Sequence, residues 1–122
     1  MAGETQIVVQ WLDPPDASTP SVDVDAIEGL LEGAGENLYL VDGHDMGGGT
    51  TNVFLYAEDD VVDDAAALII ALFEDEKLPQ GMRLAKAVYK NAERSEWHFE
   101  PLYPKGLSHF DIMYLPDGPT PR

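Results

Sequence analysis

The sequence predicts an α+β domain in which two helices pack on one face of an antiparallel sheet. Three observations carry this. Short β-branched and apolar runs of strand length recur along the chain. Two longer segments repeat apolar residues at helical spacing. Glycine- or proline-rich stretches separate these segments.

The first run, TQIVVQWL at residues 5–12, reads as a buried strand. DPPDASTPS follows, and three prolines in nine residues stop the strand and make a loop. VDVDAIEGLLEGAG then places Val24, Ile27, Leu30 and Leu31 on one helical face. Asp25 with Glu28 forms a capping pair at its start, and Gly33 and Gly35 are expected to end it in a left-handed conformation. Residues 36–42, ENLYLVD, read as a second strand, and residues 50–58, TTNVFLYAE, as a third.

DDVVDDAAALIIALFEDEK is the clearest helix. Val62, Ala65, Ala66, Ile69, Leu72 and Phe73 make one apolar stripe. Asp59, Asp60, Asp63 and Asp64 gather at its start, where the helix dipole favours anions. Residues 82–91, MRLAKAVYKN, read as a fourth strand, although Leu84 and Val88 are also four apart, as in a helix. SEWHFEPLYP gives a fifth strand after a turn at residues 91–95. In SHFDIMYL, alternating Phe110, Ile112 and Tyr114 allow a short sixth. The proline- and glycine-rich residues 116–122 read as a frayed tail.

The resulting order is β-α-β-β-α-β with one or two extra C-terminal strands, all in a single domain spanning residues 1–122. This is the ferredoxin-like order, two split β-α-β units. With its glycine-rich hairpin and final P-x-G…F segment, the chain resembles small uncharacterised bacterial proteins over roughly residues 37–113. The resemblance implies the fold more than any activity.

Charge is the strongest compositional signal. The chain carries 23 acidic and 7 basic side chains, a formal net charge of −16. Residues 1–76 hold 18 of the acids and no lysine or arginine, and the remainder has seven basic against five acidic residues. Such a field repels phosphate backbones and anionic lipid, so neither nucleic acid nor membrane is expected as a partner. It attracts basic proteins, and it also serves solubility, as in a salty cytoplasm. Cysteine is absent, which excludes disulfides and thiolate chemistry. The first residues lack the pattern of a secretory signal, and the longest apolar run, residues 65–73, is too short to cross a bilayer. The expected location is cytoplasmic.

Candidate sites are few. The stretch VDGHDMGGGTTNVFLY holds Asp42, His44 and Asp45 beside three successive glycines. A phosphate-binding loop needs a lysine and a following helix, and a strand follows here. The glycines therefore suit a hairpin turn, and the tip is a contact-loop candidate. No cofactor is expected. His44 next to Asp45 resembles the dyad of HD phosphohydrolases, but that dyad sits in an all-helical setting. Trp97 and Tyr103 lie in the basic part of the chain and are candidates for a binding surface.

HFE and HFD put His98 with Glu100, and His109 with Asp111, on shared strand faces. Paired strands would bring these four together as ligands for a divalent metal. The competing reading is an outward polar face with each phenylalanine turned inward. No serine sits in a nucleophile elbow. The leading expectation is a small acidic binding protein without a catalytic site, of the immunity or inhibitor type, for a basic partner. A metal-dependent hydrolase and a homodimeric structural protein are the alternatives.

Overall fold

The computed structural model describes residues 3–12, 23–35, 37–47, 49–75, 77–78, 81–91, 93, 95–108 and 110. The elements run β1 (Glu4–Leu12), α1 (Val24–Gly35), β2 (Leu40–Gly47), β3 (Thr50–Glu58), α2 (Val62–Glu74), β4 (Arg83–Tyr89) and β5 (Trp97–Tyr103). The five strands form one sheet in the order β2-β3-β1-β4-β5, and every neighbouring pair is antiparallel. Two helices and this strand order are compatible with the arrangement expected from the sequence, with β5 added beside β4. Within residues 82–91, Arg83–Tyr89 forms a strand and none of it is helix. The possible sixth strand and the tail fall almost wholly outside the described residues.

Alternation along β1 explains why its sequence is almost continuously apolar. Ile7, Val9 and Trp11 face the helices, where they meet Val53 and Leu55 of β3 and Leu84 of β4. Against them pack Ile27 and Leu31 of α1 and Val62, Ala65, Ala66, Ile69 and Phe73 of α2. Val8 points the other way, onto Ala85 and Phe110. A central strand buried on both faces loses the apolar–polar alternation of a half-exposed one. Each large aliphatic side chain removed from water in this core contributes about 1.5–3 kcal/mol.

Three boundaries differ from expectation, each for a local reason. At α1 the cap is Asp23, whose Oδ1 accepts from the backbone N–H of Asp25 at 3.0 Å and of Ala26 at 3.4 Å. Glu28 is thereby released from capping. Helix α1 runs through Gly33 and ends at Gly35, with neither glycine left-handed. Gly35 serves a close approach, because a methyl there would stand 2.6 Å from a ring carbon of Tyr39. Tyr39 turns into the core and donates its hydroxyl to the Leu31 carbonyl at 2.6 Å. Residues 37–39 are therefore spent closing the helix, and β2 begins at Leu40 rather than at 36.

Strand β2 accordingly absorbs most of the stretch read as a glycine loop. Gly47 pairs with Thr50, so β2 and β3 stay paired up to the hairpin end. Gly49 has φ +83°, the conformation such tight turns require and side chains disfavour. A bulge between Val41 and Gly43 shifts the register upstream.

Candidate functional site

The sheet has a helix-covered face and an open face. The segment after β5 returns across the open face: Phe110 is 6% exposed, and it meets the Phe99 ring edge-on at a centroid distance of 5.5 Å. Phe54 and Leu107 pack into the same cluster. Beside this lies a buried polar row that the sequence did not reveal. Gln10 Nε2 donates to Asn52 Oδ1 at 3.0 Å, and Asn52 Nδ2 donates to Thr50 Oγ1 at 3.2 Å. The two facing amides share one hydrogen bond there, which offsets part of the cost of burying them.

The other end of the open face is different. Tyr56 of β3, Tyr89 of β4 and Trp97 of β5 surround Gln6 of β1 in a cleft of about 270 Å³. Gln6 organises it. Its backbone N–H donates to the Tyr89 hydroxyl at 3.4 Å, and its side-chain nitrogen donates to the Tyr56 hydroxyl at 3.1 Å. Trp97, directly across from Tyr89, remains 50% exposed. Leu40, directly across from Tyr56, is 70% exposed. A large apolar residue left in water on each side of a row of aromatics is the kind of surface that contacts a partner.

Carboxylates border this row. Glu4 lies directly across from Glu58, and both follow the alternation of Gln6 and Tyr56 onto the open face. On the other face, Thr5 Oγ1 donates to Asp59 Oδ1 at 2.6 Å, tying β1 to the approach to α2. Helix α2 itself has no side-chain cap at Val61, so among its leading acids Asp63 and Asp64 serve the first turn through the dipole. Asp63 also accepts from Lys86 Nζ at 3.3 Å.

The structure distributes the residues singled out in the sequence. His44 lies within β2, not in a loop, and its Nδ1 meets Glu28 Oε1 of α1 at 3.2 Å. Asp42 lies at the bulge, and Asp45 pairs with Asn52, putting it on the opposite side of β2 from His44. Trp97 and Tyr103 likewise part company. The bulge in the pairing of β4 with β5 turns Tyr103 to the helix side, where its ring stacks on Phe73 at 4.8 Å. Tyr103 is therefore a packing residue, and Trp97 is the exposed one.

His98 and Glu100 share a face of β5, across from Val88 and Lys86. Their proposed co-ligands, His109 and Asp111, lie outside the described residues. Among the described residues no group of three or more histidine or acidic side chains is placed to hold a metal ion. Among them, too, no helix is long and apolar enough to cross a membrane.

Tyr56, Tyr89 and Gln6 were missed because their convergence depends on strand register. Their parity in the sequence was readable; which strand lies beside which was not. No protein-family profile matches the chain, and neither does any curated protein or solved structure.

Proposed function

We propose that this chain is a small acidic binding protein without a catalytic site, built on a ferredoxin-like domain extended by β5. It holds a basic protein partner in the cytoplasm, in the manner of an immunity or inhibitor protein. The observation that carries this reading is the exposed aromatic end of the open sheet face, bordered by carboxylates. Apolar anchors such as Trp97 and Leu40 supply hold, because desolvated aromatic and aliphatic contacts dominate interface energetics. The anionic surface speeds encounter and rejects acidic competitors.

The test is capture of partners from native lysate at low and at high salt, followed by rebuilding the complex from purified components. A basic protein should be retained, with an association rate that falls steeply as salt rises. Recovery of no basic partner at either ionic strength would remove the proposal.

A further inference from the structure

We draw no further inference here: the strongest candidate, the exposed apolar patch of Leu40 and Trp97 at the aromatic end of the open sheet face, belongs to the site already described, and nothing in the structure shows which side-chain chemistry covers it.

Discussion

Replacing Gly35 by alanine should destabilise the protein, although alanine is the better helix former. The added methyl would stand 2.6 and 2.7 Å from two ring carbons of Tyr39. Ordinary carbon contacts lie at about 3.5–4.0 Å, so the ring must retreat by about 1 Å. It has little freedom to do so. Tyr39 is buried in the core and its hydroxyl is fixed to the Leu31 carbonyl. Retreat weakens that bond, at about 1–3 kcal/mol for a buried polar group left unmatched, and overpacking adds about 1–3 kcal/mol. Helix propensity returns about 1 kcal/mol. The expected net loss is about 1–5 kcal/mol, or a fall in Tm of about 4–20 °C for a chain of this size.

Gly29 and Gly33 provide internal controls. Both lie in the same helix, and a methyl at either meets nothing within 4 Å. Their alanine variants should each gain about 0.5–1 kcal/mol. Urea unfolding of the three single variants gives the comparison directly. Gly35→Ala in a Tyr39→Leu background should lose most of its cost. A Gly35→Ala variant as stable as Gly33→Ala would refute the reasoning, because the two then differ in nothing that the tyrosine imposes.

Tyr39 also predicts alkaline behaviour. Burial pushes its hydroxyl up to about 12, above the ordinary value of 10.0. The unfolded chain then releases this proton first, so stability is intact below pH 10 and falls between about pH 10 and 12, by up to about 2 kcal/mol. Tyr39→Phe should flatten that part of the pH profile and cost about 1 kcal/mol at neutral pH, measured by denaturation across the range. Phe110→Ala should cost about 3–4 kcal/mol in urea unfolding, because Phe110 closes the cluster on Val8 and Ala85 and meets Phe99 edge-on. A double-mutant cycle on His44 and Glu28 should return a coupling below about 1 kcal/mol, since both side chains retain solvent contact. Of the two tryptophans, Trp11 is buried and Trp97 half-exposed, so quenching by caesium should exceed quenching by iodide if the anionic border surrounds Trp97.

The elements were legible where periodicity was long. Of the α2 stripe, Val62, Ala65, Ala66, Ile69 and Phe73 are buried as its spacing implied, and Leu72 is partly buried. The hairpin role of the glycines was also readable, because Gly49 supplies the backbone conformation that a tight connection needs. The start of β2 was not, since it depends on Tyr39 entering the core behind Gly35, a contact without a local signature. Asp23 was passed over as a cap in favour of Asp25, two residues on, because both are acids at the right end of the same helix. For the candidate site, Trp97 was singled out from composition, but pairing it with Tyr103 ignored a bulge that reverses their facing. The partners that do surround it come from β1, β3 and β4, and only the register unites them.

The bulge in β2 has a consequence for how copies of the chain behave together. This strand is one margin of the sheet, and it combines a break in its ladder at Val41/Gly43 with exposed carboxylates at Asp42 and Asp45. The opposite margin, β5, carries its own irregularity and a proline within the strand. Both borders are thereby spoiled as templates for a further strand. Concentrated solutions should resist fibre growth by sheet extension, and any self-association must use the faces rather than the borders.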